Sequence, residues 1–351
     1  MQFIKPGINI DLVGKRNIAF VFSSLMIIAT IVLLVWQGGP NYGVDFSGGV
    51  LVQVKMAQKT PPLEIKKALG AVNIGNSIVQ EFGEANQFEY LIRIQKTEVE
   101  LSSLGDRVEQ ALRTAFGDSI EIRRVEMVGP KVGKDLRQKA LFAIFYSILF
   151  IAIYISGRFE MKWLMSIIMA ISLAFVVYIA SEIGISVTWL ILIALIVTLA
   201  FCFFLNLKYA LGAIIAIIHD VVITLGFFAL TERELSLSII AAFLTIVGYS
   251  LNDTIIVFDR IRENLRRFRR KPFEETMNQS INETLSRTIL TSGTTLIVIT
   301  ALFVLGGGVI HDFAFALLVG VLVGTYSSIF VASPILLIWE GKFGKKAQEK
   351  M

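Results

Sequence analysis

The sequence predicts a polytopic α-helical membrane protein of about eight spans, with a ferredoxin-like α+β extracytoplasmic domain inserted between the first and second spans. Three observations predict it. Hydrophobic residues make up 55% of the 351 and charged residues only 17%, for a mean hydropathy of +0.70. Eight stretches are apolar over about the 20 residues that a helix needs to cross the hydrocarbon core: 17–36, 140–157, 163–181, 186–205, 209–230, 235–258, 288–305 and 313–338. One stretch alone, 37–139, is polar enough to fold in water, and its apolar period switches between that of strands and that of helices.

Residues 1–36 read as a short tail and the first span. This run is too long for the apolar core of a secretory signal, and Gln37-Gly38-Gly39-Pro40 offers no small-x-small cleavage site, so the span is expected to stay uncleaved. In 37–139, residues 51–56 alternate as a strand, and Pro61-Pro62-Leu63-Glu64 opens a helix to Leu69. Strands at 77–82 and 88–95 flank the turn-forming Gly83-Glu84-Ala85-Asn86. Thr97-Glu98-Val99-Glu100 has capping-box spacing and begins a helix to Phe116, apolar at Leu101, Leu104, Val108, Ala111 and Leu112. A strand at 120–128 completes the order βαββαβ. Gly43-Val44-Asp45-Phe46-Ser47-Gly48-Gly49 lacks the Lys-Ser/Thr of a phosphate loop, so its glycines read as a turn and no cofactor is expected. The second span is 140–157, a helical hairpin occupies 163–205, four spans form a bundle over 209–338, and 339–351 is a second tail.

Lys and Arg in short loops set orientation. Lys5, Lys15, Arg16, Arg158, Lys162, Lys208, the run from Arg260 to Lys271 and the tail lysines all fall on one side, so both termini are expected in the cytoplasm. Lys131, Lys134, Arg137 and Lys139 break the pattern, but they end a long domain, and long domains translocate largely regardless of charge. The basic run after the sixth span fits anionic membrane lipid at the boundary and not nucleic acid. The lone Cys202 permits no intrachain disulfide, and two histidines, His219 and His311, supply metal chemistry poorly, so no metal is expected.

The chemistry-bearing anomaly is Asp253, inside an apolar run, where a central carboxylate costs roughly 2.5–3.5 kcal/mol on insertion scales and calls for a partner. Arg287, near the start of the next run, is the candidate, since antiparallel helices bring the two to similar depth; its alternative, at a helix end, is to snorkel to the interface. A supporting polar network is drawn from Asn252, Asp220, His219 and Thr291. Asn252 points about 100° away from Asp253, Thr291 has the alternative of bonding back to its own helix, and His219-Asp220 either joins Asp253 or pairs locally. Gly293, Gly320 and Gly324 permit close helix packing.

Four stretches carry a resemblance: 42–49, 128–133, 248–264 and 280–288, the third being Gly248-Tyr249-Ser250-Leu251-Asn252-Asp253-Thr254-Ile255-Ile256-Val257-Phe258-Asp259-Arg260-Ile261-Arg262-Glu263-Asn264. On these the chain resembles SecF-type members of the SecD/SecF family of protein-export membrane proteins, in the resistance-nodulation-division superfamily. The resemblance implies a non-enzymatic accessory subunit in the bacterial inner membrane. It implies a partner, SecD, beside the SecYEG channel, and use of the proton-motive force to complete export of unfolded polypeptides. It also implies that Asp253 and Arg287 form the proton relay. The chain departs from the family's six spans at 163–205, where 162–171 matches 208–217 at an offset of 46. A hairpin of two spans preserves all downstream orientations and reads as a peripheral structural element, the sharper alternative being a partner-binding surface. The competing readings are a stand-alone proton-coupled exporter of lipids or drugs, which needs two related halves, and an intramembrane aspartyl protease, whose Gly-x-Gly-Asp signature is absent.

Overall fold

A computed structural model describes residues 8–72, 74, 77–82, 88–94, 101–182 and 186–341. It is mostly helical, with one small antiparallel sheet. Helix α1 (Arg16–Trp36) leads into a short turn of helix, α2 (Val44–Ser47), and then into the sheet unit: β1 (Gly49–Lys55), α3 (Pro62–Gly70), β2 (Ser77–Phe82), β3 (Glu89–Ile94), α4 (Leu101–Phe116) and β4 (Glu121–Val128). The strands lie in the order β2-β3-β1-β4, each antiparallel to its neighbours, with Val52 of β1 opposite Ile92 on one side and Val125 on the other. Alternation puts Val50, Val52 and Val54 on one face, where they are buried with Ile65 and Leu69 of α3 and Leu104, Val108 and Leu112 of α4. The expected capping box at 97–100 lies outside the described residues.

The remaining helices are α5 (Pro130–Glu160), α6 (Trp163–Glu182), α7 (Val187–Phe204), α8 (Lys208–Leu230), α9 (Leu237–Arg267), α10 (Phe273–Leu305), α11 (Gly308–Ser327) and α12 (Ser333–Trp339). Helix α8 is the hub, packed against α1, α5, α9 and α11. Among the described residues six helices are long and apolar enough to cross a membrane, α11 and α12 counting as one run, against the eight expected. The expected spans at 163–181 and 186–205 correspond to shorter apolar helices, Trp163–Ile179 and Trp189–Phe204. This hairpin packs on α5 and α8, and Lys162 Nζ donates to the Leu205 carbonyl at 2.7 Å, tying its two ends together.

Hydropathy marked the apolar parts of three helices and missed their polar extensions. Helix α5 begins ten residues before the expected 140, α9 runs on to Arg267, and α10 starts at Phe273 instead of near 288. The α9 and α10 extensions pair with each other, where buried Asn264 donates to Ser280 Oγ (3.0 Å) and Glu283 Oε2 (2.8 Å). The chain before α1 lies along α10: Asn278 Oδ1 accepts from the Leu12 backbone N–H at 2.9 Å, and Asn282 Oδ1 accepts from that of Ile10 at 2.9 Å. The last expected span is interrupted by a π turn at Ser328–Ala332. Pro334 lacks an N–H for the carbonyl four residues earlier, and a wider turn absorbs the mismatch.

Candidate functional site

Asp253 sits 16 residues into α9 and is 1% exposed. Its Oδ2 accepts a hydrogen bond from Ser292 Oγ of α10 at 3.3 Å. Thr325 Oγ1 of α11 lies 2.7 Å from that same Ser292 Oγ, so three helices converge on the carboxylate. The other carboxylate oxygen, Oδ1, is buried with no hydrogen-bond partner among the described residues. Tyr249 Oη and Thr288 Oγ1 share that condition. Tyr249 is one turn before Asp253 on α9, and Thr288 one turn before Ser292 on α10, so helical spacing stacks the three on the facing sides of the α9–α10 contact. Buried polar atoms without partners are uncommon, and a column of them beside a carboxylate marks this seam as the polar track of the bundle.

Arg287 is exposed and does not close on Asp253; among the described residues no ion pair within 4 Å joins them. Thr288 and Ser292 hold the face of α10 turned toward Asp253, and Arg287 is displaced about 100° around the helix from Thr288. The guanidinium lines an open cavity of about 680 Å³ together with Asn252, Arg158, Asp259, Arg260 and Glu283. Asn252 is thus brought to Arg287 and not to Asp253. Thr291 bonds back to the Arg287 carbonyl at 3.0 Å, the local alternative for a helical threonine.

His219 and Asp220 form a second buried cluster, 3% and 1% exposed. His219 Nδ1 lies 2.9 Å from Asp220 Oδ1, and Asp220 Oδ2 accepts from Ser250 Oγ of α9 at 2.5 Å and Ser327 Oγ of α11 at 2.8 Å. His219 Nε2 lies 3.0 Å from Ser23 Oγ of α1, which is 3.2 Å from Tyr326 Oη; that hydroxyl donates to the Ala19 carbonyl at 2.9 Å. Among the described residues no hydrogen bond of this cluster reaches Asp253, so the pairing is local. The two clusters flank the α9–α11 contact, which two of the three expected glycines make close. A Cβ on Gly324 would lie 3.0 Å from Ser250 Cβ, and one on Gly320 would collide with Ile246. Gly293 does not share this role, because a Cβ there would meet nothing within 4 Å.

Sequence reasoning missed Ser23, Ser250, Ser292, Thr325, Tyr326 and Ser327. Hydroxyl residues are common in apolar helices and usually bond their own backbone, so only the helix packing reveals which ones serve a carboxylate.

The sequence pattern described as protein export membrane protein SecD/SecF, C-terminal, matches residues 107–201 and 178–342, and the SecD/SecF GG motif matches 34–60. The protein translocase subunit SecF of Vibrio alginolyticus is 40% identical over 339 residues, covering 96% of this chain and 91% of that one. The chain belongs to the SecF family. SecF of Magnetococcus marinus is 39% identical over 344 residues, and that of Rickettsia typhi 35% over 354, covering all of this chain and 98% of its own. Among solved structures, SecDF of Thermus thermophilus, described as a translocon-associated membrane protein, superposes with a TM-score of 0.70 at 29% identity. It covers 97% of this chain, which spans 40% of the SecDF chain.

Proposed function

We propose that this chain acts as the SecF subunit of the Sec protein translocase in the bacterial inner membrane, as a non-enzymatic partner of SecD beside the SecYEG channel. In this reading the proton-motive force, carried through Asp253, drives unfolded polypeptide to completion on the outer side. The sheet unit, taken as a ferredoxin-like domain, faces outward; the two termini and the α9–α10 extension face the cytoplasm; and α6 and α7 complete a topology of eight spans. The SecDF likeness supports a SecD partner, since this chain matches two-fifths of a longer protein whose name joins both subunits.

The observation that carries the proton role is the half-satisfied Asp253, buried at the crossing of α9, α10 and α11 with, among the described residues, no partner for Oδ1 and unpartnered hydroxyls above and below it. Taking up or releasing a proton changes the carboxyl's charge, and so changes both its bond with Ser292 and its attraction for Arg287. Moving one charge through 100 mV is worth about 2.3 kcal/mol, enough to bias which of two helix arrangements is populated. Arg287, in an open cavity with Asp259 and Glu283, supplies a mobile counter-charge for that change. The test is export in vesicles with an imposed proton gradient. Asp253→Asn and Arg287→Ala each abolish gradient-dependent export while leaving co-purification with SecD intact; normal export by both variants ends the relay assignment.

A further inference from the structure

The loop between α8 and α9 is gripped from three directions. Glu234 Oε1 pairs with Arg93 of β3 at 2.6 Å, with side chains only 6% and 12% exposed, across 141 residues of sequence. Burial pushes the Glu234 carboxyl above its ordinary range, and Arg93 acts against that shift, as expected of an anion that depends on its partner. Next to it, Arg233 pairs with Asp312 at the start of α11, contacts His311 Nδ1 at 3.1 Å and stacks 4.4 Å from the Phe315 ring centroid. Leu235 exchanges backbone bonds with the glycine-rich segment: its N–H donates to the Asn41 carbonyl at 2.7 Å, and its carbonyl accepts from Gly43 at 2.9 Å.

The glycine-rich segment then caps α9. Asp45 Oδ2 accepts the Leu237 backbone N–H at 2.8 Å, where a carboxylate also complements the positive end of the helix dipole. The same segment is wedged against α5: Gly48 has φ +74, and a Cβ on it would fall 2.9 Å from Pro130 Cα, while one on Gly133 would fall 3.0 Å from Gly48 N. The expected turn is therefore a joint between sheet and bundle. From the Asp45 cap, α9 runs unbroken to Asp253, about 24 Å away at helical rise.

We propose that Arg93, Glu234 and Asp45 are the positioning residues that couple α9 to the sheet domain, so that a helix displacement at Asp253 moves the sheet as a rigid attachment. This rests on the proton-driven reading above. A loop held by backbone bonds, a buried ion pair and a cap cannot shift without either carrying the sheet along or stripping a buried charge of its partner, a strongly unfavourable alternative.

The test uses vesicles carrying the full chain with SecD and reads gradient-stimulated export and proton flux separately. Glu234→Gln and Arg93→Gln each lower stimulated export about ten-fold while proton flux persists. Asp45→Asn, which keeps an acceptor for the helix cap, exports better than Asp45→Ala. In the Glu234→Gln background, a disulfide formed between Tyr42→Cys and Leu235→Cys, a bridged pair, restores export and loses it again on reduction; the native Cys202 is buried and does not compete. Undiminished export in both ion-pair variants overturns the proposal, and so does loss of export and proton flux together, which marks a merely structural pair. Persistence of stimulated export in Asp253→Asn instead defeats the proton-driven reading itself, whatever the joint variants do.

Discussion

Two buried carboxylates lie on opposite sides of one helix contact, and they are treated differently. Asp220 has both oxygens engaged, by His219, Ser250 and Ser327, and ties α1, α8, α9 and α11 together. Among the described residues Asp253 has one side-chain hydrogen bond, of 3.3 Å, and a second oxygen without a partner. A fully satisfied network fixes one arrangement of its helices, whereas a partly satisfied one leaves the energy sensitive to a proton. On the proton-driven reading proposed above, this difference separates an Asp220 that holds the bundle from an Asp253 that changes it, although the sequence presents both as acidic residues in apolar helices.

The contrast breaks first at Asp253 itself. Asp253→Asn brings gradient-stimulated export to background yet shifts detergent-solubilised unfolding by less than about 1 kcal/mol, since an amide still accepts from Ser292; an equal loss of stability would show that Asp253, too, is structural. Asp220→Ala does the reverse, destabilising by about 3–5 kcal/mol because three buried groups, on His219, Ser250 and Ser327, lose a hydrogen-bond partner at about 1–3 kcal/mol each, and thermal unfolding with and without the substitution measures it. Ser292→Ala, which removes the one side-chain bond of Asp253, costs about 1–3 kcal/mol and moves the pH at which stimulated export is half-maximal; an unchanged pH profile would separate Ser292 from the titrating group. The smallest effects come from two tyrosines. Tyr326→Phe loses a bonded hydroxyl and costs about 1 kcal/mol, while Tyr249→Phe removes an unpartnered one and stays within about 0.5 kcal/mol in unfolding.

What was legible in the sequence follows the same physics. Apolar runs found every helix of the bundle, because insertion into hydrocarbon demands them, and alternation found all four strands within a residue or two. The polar ends of α5, α9 and α10 were invisible to hydropathy: their helicity comes from contacts such as Asn264 with Ser280 and Glu283, which join residues 16 and 19 apart. Asp253 and Asp220 stood out because charge in an apolar run is costly. Their different hydrogen bonding did not, since it depends on which helix faces meet. Whether Arg287 touches Asp253 was not legible either, because residue count gives position along a helix while facing follows from packing.

The bonds that tie α1 into the bundle reach far along the chain. Ser23 meets His219 across 196 residues, and Ile10 meets Asn282 across 272. At a synthesis rate of roughly 5–20 residues per second, α1 waits on the order of ten seconds or more for α8 to be made. During that interval its lipid-facing surface is complete, while the face bearing Ser23 has no protein to meet. A helix made this far ahead of its partners is therefore locked late, and the strap along α10 closes only after the segment bearing Asp253 has been made.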